Sequence, residues 1–296
     1  MTTPKIGFIG LGLMGGAMVA RLQDKGYDIC VMGNRDRTEL DKAIARGAVE
    51  AGSAREVATA SDIVMICVGT SDQVEGLMRG PDGVIVGLTP GKTVIDFGTS
   101  LPASTKVLGV EVAAADCAYL DAPIGRTPQH ARDGALNLMV GGDADALAKV
   151  RPVMDDLAEN VFHLGGLGNG NATKLLNNFL GQNISNTLAE AYAVADHSGI
   201  DRADLHRVLS SGPLGCVFMD LMAAYALEGD ASKLAFSIGN AAKDVGYYDQ
   251  MTQDLGLQSV MAGAALGALR DATDQGRGDA MVSELTDYYT ARFQPK

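Results

Sequence analysis

The first half of the chain alternates short apolar runs with longer stretches in which apolar residues recur at helical spacing. The apolar runs predict strands at Lys5–Ile9, Asp28–Met32, Asp62–Val68, Thr93–Phe97, Ala118–Asp121, Leu136–Gly141 and Asn160–His163. The stretches between them predict helices at Gly12–Lys25, Arg37–Arg46, Ala54–Ala60, Ser71–Met78, Pro102–Ala115 and Ala144–Leu157. Because strands that alternate with helices and carry buried β-branched residues pair in parallel, this half predicts an α/β fold with a doubly wound parallel sheet.

The second half of the chain lacks the strand pattern. It predicts one long helix from Asn171 to His197, followed by helices at Asp201–Leu209, Met219–Leu227, Phe236–Gln253, Gln258–Gln275 and Asp279–Phe293. We therefore predict two domains. Residues 1–165 form the sheet domain, and residues 166–296 form an all-helical domain that starts with a long interdomain helix. The cleft between two such domains is the expected place for chemistry.

A glycine-rich turn follows the first predicted strand. Gly10, Gly12 and Gly15 have the G-x-G-x-x-G spacing of a dinucleotide-binding turn. In such a turn the first glycine permits the tight bend, the second leaves room for a pyrophosphate, and the third lets the helix pack on the strand. The positive end of the next helix would face the phosphates. The first domain is therefore predicted to be a Rossmann domain.

The residues after the second predicted strand bear on the choice of dinucleotide. An acidic residue at this strand end usually binds the ribose 2′-hydroxyl of NAD, but this chain has Asn34, Arg35, Asp36 and Arg37. An arginine can pair with a 2′-phosphate, so NADP(H) is favoured over NAD(H). The alternative is that both arginines are solvated loop charges, and the nearby Asp36 also leaves the preference for NADP(H) open. The other residues predicted to contact the cofactor are Leu13, Met14, Val68, Thr70 and Thr99.

Composition and charge exclude several classes of partner. The chain has 296 residues and a formal net charge of −12 at pH 7, which argues against nucleic acids and anionic membranes. No apolar run reaches the roughly 20 residues of a membrane span, and a strand that begins at Lys5 leaves no room for a signal peptide. The four cysteines are scattered and the four histidines lack metal-ligand spacing. We expect a cytoplasmic protein with reduced, mostly buried thiols and no metal.

The predicted long helix carries the candidate catalytic groups. Lys174, Asn178, Gly181 and Ser185 recur at intervals of three or four residues and share one face. We predict that Lys174 donates a proton to the developing alkoxide during carbonyl reduction while a nicotinamide delivers hydride, and that Asn178 orients the substrate or the lysine. An apolar set on another face is expected to be core, namely Leu176, Phe179, Leu180, Ile184 and Leu188.

Four sets of motifs, spread over essentially the whole chain, resemble the β-hydroxyacid dehydrogenases, which include 3-hydroxyisobutyrate dehydrogenase and tartronate semialdehyde reductase. They are Gly7–Gly15, Asp121–Ile124 with Gly134–Leu136 and Met139–Gly142, Gly168–Asn178, and Phe236–Ile238 with Lys243–Asp244. The resemblance implies an NAD(P)-dependent oxidoreductase. It places Lys174 on the catalytic lysine of the family, Asn178 on its asparagine partner, and Lys243 near the cofactor.

One departure from the family pattern bears on the substrate. Most members have Ser-Gly-Gly where this chain has Gly125, Arg126 and Thr127, and the Gly-Arg-Thr form resembles the branch that reduces sulfolactaldehyde, an aldehyde with a sulfonate group. The planar fork of arginine can hold two oxygens of such an anion. We predict that Gly125, Arg126, Thr127 and Asn177 bind a small anionic substrate. The alternative is that Arg126 pairs with a nearby acid such as Asp133.

Three interpretations of the activity remain open. The leading one is an NADP(H)-preferring enzyme that interconverts sulfolactaldehyde and dihydroxypropanesulfonate. The second is an enzyme that acts on a carboxylate substrate, namely 3-hydroxyisobutyrate, 4-hydroxybutyrate through succinic semialdehyde, or tartronate semialdehyde. The third is an NADPH-binding sensor without turnover, although Lys174 and Asn178 argue against it because a sensor needs no proton donor. Apolar faces on the C-terminal helices also predict a homodimer or homotetramer.

Overall fold

A computed structural model of the chain describes residues 3–33 and 36–293. The chain divides into two compact units, Met1–Lys174 and Leu175–Lys296. The long helix Asn169–Ser198 contains the boundary between them. The domain boundary that we expect from the sequence, between residues 165 and 166, stays a prediction.

Six strands of the first unit form one parallel sheet. They are β1 (Ile6–Ile9), β2 (Ile29–Met32), β3 (Val49–Ala51), β4 (Ile63–Ile66), β5 (Thr93–Asp96) and β6 (Ala118–Asp121), in the spatial order β3-β2-β1-β4-β5-β6. The strand order reverses between β1 and β4, which is the point where this kind of sheet binds its ligands. The predicted doubly wound parallel sheet is confirmed.

Helices of the first unit cover both faces of this sheet. They are α1 (Leu13–Asp24), α2 (Thr38–Ala45), α3 (Ala54–Ala60), α4 (Ser71–Met78), α5 (Val84–Gly87), α6 (Pro102–Ala113), α7 (Pro128–Asp133) and α8 (Ala144–Leu157). Phe8 belongs to the apolar cluster on one face and the adjacent Ile9 to the cluster on the other. Because both faces are buried, the central strands are continuous apolar runs rather than alternating ones.

The last strands of the first unit form a separate sheet, which corrects the expectation that they extend the parallel one. They are β7 (Ile124–Gly125), β8 (Leu136–Val140) and β9 (Ala158–His163), in which β7 pairs antiparallel with β8 and β8 pairs parallel with β9. Asp121 and Gly141 form a bridge between the end of β6 and the end of β8. This bridge is antiparallel, so β8 meets the end of β6 without continuing the parallel pairing of the large sheet.

The second unit is helical, as the sequence predicts. Its helices are the remainder of α9 (Asn169–Ser198), α10 (Arg202–Ser210), α11 (Val217–Glu228), α12 (Ile238–Asp254), α13 (Val260–Ala272) and α14 (Leu285–Arg292), with 3₁₀ turns at Ala231–Leu234 and Val282–Glu284. Phe179 and Leu188 of α9 pack against the apolar cluster of this unit, and the Phe179 ring stacks on Tyr248 with centroids 3.9 Å apart.

The expected core face of α9 is wrong for two of its residues. Leu176 and Leu180 are 52% and 62% exposed. They lie about one turn apart and therefore share a face of the helix. Successive residues of a helix point about 100° apart, so Leu180 points away from the cluster against which its neighbour Phe179 packs. The apolar residues of α9 thus divide between a packed face and an exposed one.

The described residues contain no candidate for a membrane span or a metal cluster, and their four cysteines are free thiols. Among the described helices, none combines the length and apolar character that a membrane span requires. Within residues 3–33 and 36–293, no three His, Cys, Asp or Glu side chains are grouped as metal ligands. Cys30 and Cys67 are half-buried free thiols, Cys117 is buried and Cys216 is exposed. The expectation of mostly buried thiols is therefore wrong for Cys216.

Candidate active site

The glycine turn between β1 and α1 is built from closely packed backbone. Gly10 has a φ of 99°, a left-handed conformation that favours glycine, and a Cβ there would lie 2.2 Å from the carbonyl oxygen of Cys67. A Cβ on Gly15 would lie 1.9 Å from the carbonyl oxygen of Gly10. At Gly12, by contrast, no described atom apart from its neighbours along the chain lies within 4 Å of the corresponding position. Gly10 and Gly15 close the turn, whereas Gly12 leaves space beside it.

The amino terminus of α1 lies beside a cleft of about 610 Å³, a size typical of ligand sites. The glycine turn, the ends of β2 and β4, and part of α4 line this cleft. No described side chain caps α1, and its first turn contains no acidic residue among those the structure describes. An uncapped helix terminus that opens on a cleft is suited to bind phosphate. The space beside Gly12 and this terminus therefore fit a dinucleotide.

The other predicted cofactor residues of the first unit lie in three places. Leu13 begins α1 and is exposed, and the half-buried Met14 follows it. Val68 lines the cleft after β4. Thr70 caps α4, because its hydroxyl accepts a hydrogen bond from the backbone N–H three residues later in the chain. Thr99 follows β5 and is half-buried. Their contacts with a cofactor stay predictions.

The arginines after β2 are not equivalent. Arg37 forms a two-point ion pair with Glu50 of β3, with Nη1 2.9 Å from Oε1 and Nη2 3.0 Å from Oε2. Asp36 lines the cleft. Asn34 and Arg35, which we assigned to the cofactor, lie outside the described residues. Since the fork of Arg37 is engaged by Glu50, a site for a 2′-phosphate would depend on Arg35.

The candidate anion loop is the segment Gly125–Thr127 between β7 and α7. Arg126 has a φ of 79°, which is uncommon for a residue other than glycine. Its Nη1 donates to the carbonyl oxygen of Ala135 at 2.6 Å and to a carboxylate oxygen of Glu159 on β9. Its Nε and Nη2 make no hydrogen bond to a described residue. The alternative that Arg126 pairs with an acid is confirmed, but the acid is Glu159 and not the suggested Asp133.

The other two residues of the anion loop are held locally. Gly125 pairs with Asn137 of β8. Thr127 precedes α7, and its Oγ1 lies 2.7 Å from Nδ1 of His130. The loop therefore keeps a defined backbone path between β7 and α7, and its binding of substrate stays a prediction.

Lys174 is half-buried and lies near the start of α9. Asn171, which precedes it by about one turn, is fully buried and donates its backbone N–H to Asp121 at 2.7 Å. The helix segment that carries Lys174 is thus tied to the end of β6 within the first unit. The catalytic role of Lys174 stays a prediction.

In the second unit a buried carboxylate holds Asn178. Nδ2 of Asn178 donates to Oδ2 of Asp244 at 2.5 Å, and Oδ1 of Asn178 accepts from Nδ2 of the exposed Asn177 at 3.1 Å. Asp244 is 3% exposed and Asn178 is 8% exposed. Nζ of Lys243 lies 2.8 Å from the other oxygen of Asp244, as an ion pair without hydrogen-bond geometry. Sequence analysis did not assign Asp244 a role, although its place beside Lys243 in a family motif was a signal for it.

The chain is similar to known proteins over nearly its whole length. A model of the NAD-binding domain of 6-phosphogluconate dehydrogenase matches residues 5–165, and a model described as NAD-binding of NADP-dependent 3-hydroxyisobutyrate dehydrogenase matches residues 168–289. The NAD-dependent L-serine dehydrogenase of Pseudomonas aeruginosa is 31% identical over 96% of this chain and 98% of that protein. The 3-hydroxyisobutyrate dehydrogenase of the same bacterium is 32% identical over 89% of each chain.

The fold agrees with these sequence matches. The structure of 3-hydroxyisobutyrate dehydrogenase from Mycobacterium tuberculosis with L-serine superimposes with a TM-score of 0.83, at 24% identity, over 97% of this chain and 99% of that one. Both the sheet domain and the helical domain are therefore those expected from the four sets of sequence motifs. The chain belongs to the β-hydroxyacid dehydrogenase family, whose members are NAD(P)-dependent oxidoreductases acting on CH–OH groups.

Proposed function

We propose that this protein is an NADP(H)-preferring oxidoreductase that interconverts a small acidic aldehyde and its hydroxy acid. The observation that carries the proposal is the buried hydrogen bond of 2.5 Å between Asp244 and Asn178. Asn178 lies on the same helix as Lys174. Burying a carboxylate costs free energy. Here a buried carboxylate holds a single amide, which lies one turn along the helix from a lysine. Such an arrangement is typical of an amide that must keep one orientation for a reaction.

In the proposed reaction Lys174 exchanges a proton with the substrate oxygen. During reduction its Nζ donates a proton to the carbonyl oxygen, and during oxidation it accepts the hydroxyl proton. Asn178, held by Asp244, orients the substrate or the lysine. A nicotinamide cofactor held at the glycine turn would supply the hydride in reduction and accept it in oxidation. The proton and the hydride together account for the two hydrogens gained by the aldehyde.

The proposed preference for NADP(H) depends on the residues after β2. A family model described as NADP-dependent matches the second half of the chain, whereas the L-serine dehydrogenase relative is NAD-dependent, so membership of the family does not decide between the two cofactors. Arg37 is engaged with Glu50. We therefore assign the 2′-phosphate of NADP(H) to Arg35, with Asn34 beside it.

The proposed substrate anion is a sulfonate, and the leading substrate is sulfolactaldehyde. Arg126 supports this assignment because its Nη1 is held by Ala135 and Glu159, which leaves Nε and Nη2 to bind two oxygens of one anion. Its left-handed backbone also supports the assignment, since strained backbone is concentrated at functional sites. The hydroxyl of Thr127 is a further donor in the same loop.

The carboxylate semialdehydes remain the second candidate, and the ion pair between Arg126 and Glu159 is the observation that favours them. If that pair only joins the anion loop to β9, Arg126 is a structural residue and the substrate is an ordinary carboxylate. A 3-hydroxyisobutyrate dehydrogenase is among the relatives of this chain, so methylmalonate semialdehyde is the first carboxylate to test, followed by the succinic and tartronic semialdehydes.

We also propose a homodimer or homotetramer in the cytoplasm. Leu176 and Leu180 of α9, and Val217 of α11, are exposed in the single chain, and apolar surface of this kind is commonly covered by another subunit. The four free thiols fit a reducing compartment. Light scattering of the purified protein measures the subunit number directly.

A panel of aldehydes tests the proposed activity. The purified enzyme is given NADPH with sulfolactaldehyde, methylmalonate semialdehyde, succinic semialdehyde and tartronate semialdehyde in turn, and the loss of NADPH is followed against a mixture without aldehyde. We expect stoichiometric loss of NADPH with at least one acidic aldehyde. A protein that binds NADPH but consumes it with none of them would be the sensor, and the proposal would be wrong.

A further inference from the structure

Asp121 is a fully buried carboxylate at the end of β6, and its two oxygens bind backbone of the segment that begins α9. Oδ1 accepts the N–H of Gly168 at 2.8 Å and Oδ2 accepts the N–H of Asn171 at 2.7 Å. The backbone of Asp121 also exchanges two hydrogen bonds with Gly141. This side chain therefore acts as a remote cap for the amino terminus of α9, supplied by the parallel sheet.

Glycines make room for this carboxylate. A Cβ on Gly141 would lie 2.5 Å from Oδ1 of Asp121, and a Cβ on Gly170 would lie 2.9 Å from its Oδ2. Gly168, with a φ of 90°, makes the turn that brings its N–H to the carboxylate. Since two separate segments close around the carboxylate, the helix terminus has little room to shift.

The side chain of Asn171 ties the same turn to a second strand end. Its Oδ1 accepts the N–H of Ser100 at 2.9 Å, and its Nδ2 donates to Oγ1 of Thr105 at 3.1 Å. Ser100 follows β5 and Thr105 lies in α6. The backbone of Asn171 is therefore bound by Asp121 and its side chain by the segment after β5, so the first turn of α9 can neither rotate nor slide freely.

The consequence concerns Lys174, which lies three residues after Asn171 and therefore on nearly the same side of the helix. We infer that Asp121 is a positioning residue that places Lys174 for proton transfer, through the backbone of Gly168 and Asn171. Lys174 is the proton donor only under the proposed function, on which this inference rests. Asp121 itself does not exchange a proton with the substrate.

The electrostatics of Asp121 agree with this role. Burial raises the pKa of its carboxyl, and the N–H groups of Gly168, Asn171 and Gly170 oppose that rise. These donors favour the ionised form, which also offsets the positive end of α9. Replacing the carboxylate by an amide removes one acceptor and sets an N–H₂ group against a backbone N–H, so the terminus of α9 must shift.

The experiment compares Asp121→Asn with the unaltered enzyme, using NADPH and the best aldehyde from the panel. We expect kcat to fall about 10- to 100-fold, because a displacement of about 1 Å in a catalytic group has an effect of this size. The KM for NADPH should change less than about twofold, since the glycine turn is untouched. Each kcat is normalised to the number of NADPH-binding sites, so that unfolded protein is not counted as slow enzyme.

The solvent isotope effect on kcat distinguishes positioning from a general loss of structure. When the proton donor is displaced, proton transfer becomes slower and limits turnover more, so the effect in D₂O should increase in Asp121→Asn. Partial unfolding lowers the number of active molecules and leaves the isotope effect unchanged. Thr105→Val, which removes only the hydroxyl that Asn171 binds, should show a smaller increase and serves if Asp121→Asn does not fold.

Asp143→Asn is the matched control. Asp143 caps another helix of the same unit, accepting the N–H of Ala146 at 2.8 Å at the start of α8. We expect kcat and the isotope effect of this variant to be unchanged. The inference is wrong if Asp121→Asn and Thr105→Val keep the kcat and isotope effect of the unaltered enzyme. If Lys174→Ala also keeps its turnover, the proposed function itself has failed.

Discussion

The glycine turn Gly10–Gly15 and the anion loop Gly125–Thr127 are both loops of the first unit, but they are built in opposite ways. In the glycine turn, backbone packs on backbone, with a Cβ on Gly15 only 1.9 Å from the Gly10 carbonyl oxygen. In the anion loop, the left-handed residue is Arg126, and its guanidinium is held by groups from two other segments. The conformation of the glycine turn depends on the absence of side chains at its glycines. The conformation of the anion loop depends on the contacts of the Arg126 side chain.

The difference explains how reliably each loop can be recognised from sequence. A backbone site needs glycine at fixed spacing, so its geometry is encoded locally. A side-chain site depends on partners elsewhere in the chain, as Arg126 depends on Glu159, which is 33 positions away. The same arginine is therefore compatible with a substrate site and with a structural ion pair. The following variants test whether the two loops differ in function as they do in construction.

The largest expected effect is at Lys174, because both loops are proposed to bind the participants of the reaction that Lys174 is proposed to catalyse. Lys174→Ala should lower kcat by about 10²- to 10⁴-fold, since it removes the general acid and base. The affinity for NADPH, measured by fluorescence titration, should be preserved. Lys149→Ala, on the exposed side of α8, is the control. Near-normal turnover of Lys174→Ala would refute the proposed mechanism.

The next effect is at the backbone loop. Gly15→Ala should cost about 1–3 kcal/mol of unfolding free energy, because the added methyl overlaps the carbonyl of Gly10. The KM for either cofactor should rise about tenfold or more, since the turn must open to make room. Thermal unfolding and steady-state kinetics measure the two effects.

Gly267→Ala is the matched control for that substitution. Gly267 lies within α13, and no described atom outside the neighbouring helix backbone is within 4 Å of the position of an added Cβ. Because alanine favours a helix by about 1 kcal/mol relative to glycine, this variant should be slightly more stable and equally active. If Gly15→Ala behaved like Gly267→Ala, the glycine turn would not depend on close backbone contact.

A smaller and more selective effect is expected at Arg35. Arg35→Ala should raise the KM for NADPH about tenfold or more, because a charge-assisted hydrogen bond to the 2′-phosphate contributes about 1.5–3 kcal/mol. The KM for NADH should change little. Arg37→Ala is the control, because the Arg37 fork is engaged by Glu50. Equal effects of Arg35→Ala on both cofactors would contradict the assignment.

The smallest effect is expected at the anion loop. Arg126→Ala should raise the KM for the acidic aldehyde by about 3- to 10-fold, because the arginine is partly exposed and Thr127 remains as a donor. The KM for NADPH should be unaffected. Initial rates over a range of aldehyde concentrations provide the measurement.

Glu159→Gln is the matched control for Arg126→Ala. It removes the charge that pairs with Arg126 but keeps the guanidinium. We expect this variant to bind the anionic aldehyde at least as well as the unaltered enzyme, because the carboxylate no longer competes for the arginine. If both variants raised the KM equally, loss of the ion pair would account for both effects, and Arg126 would be a structural residue.

Much of the fold could be predicted because the central strands are buried on both faces. Phe8 and Ile9 are part of an apolar run that admits few other structures. Two strands were not predicted from the sequence, and the reason is physical. Strand β3 is a short edge strand of sequence Val-Glu-Ala whose Val49 is exposed, and β7 has only two residues. Neither carries enough buried apolar surface to produce a pattern.

The candidate site divides in the same way. Gly10, Gly12 and Gly15 are candidates because of their spacing, and Lys174 and Asn178 because of their common helix face and family motif. The partners that hold the polar side chains could not be identified from spacing, because they are distant along the chain. Asp244 is 66 positions from the Asn178 that it binds. Such contacts depend on how the helices pack, which a pattern of apolar residues does not specify.

The central claim, an NADP(H)-preferring enzyme for a small sulfonate-bearing substrate, is tested most directly by two oxidations run side by side. The enzyme is mixed with NADP⁺ and either dihydroxypropanesulfonate or 3-hydroxyisobutyrate, and the absorbance of the reduced cofactor is followed. We predict a kcat/KM at least about tenfold higher with the sulfonate, which corresponds to about 1.4 kcal/mol of extra binding in the transition state. A higher kcat/KM with 3-hydroxyisobutyrate would contradict the claim and identify the enzyme as an ordinary carboxylate-specific member of its family.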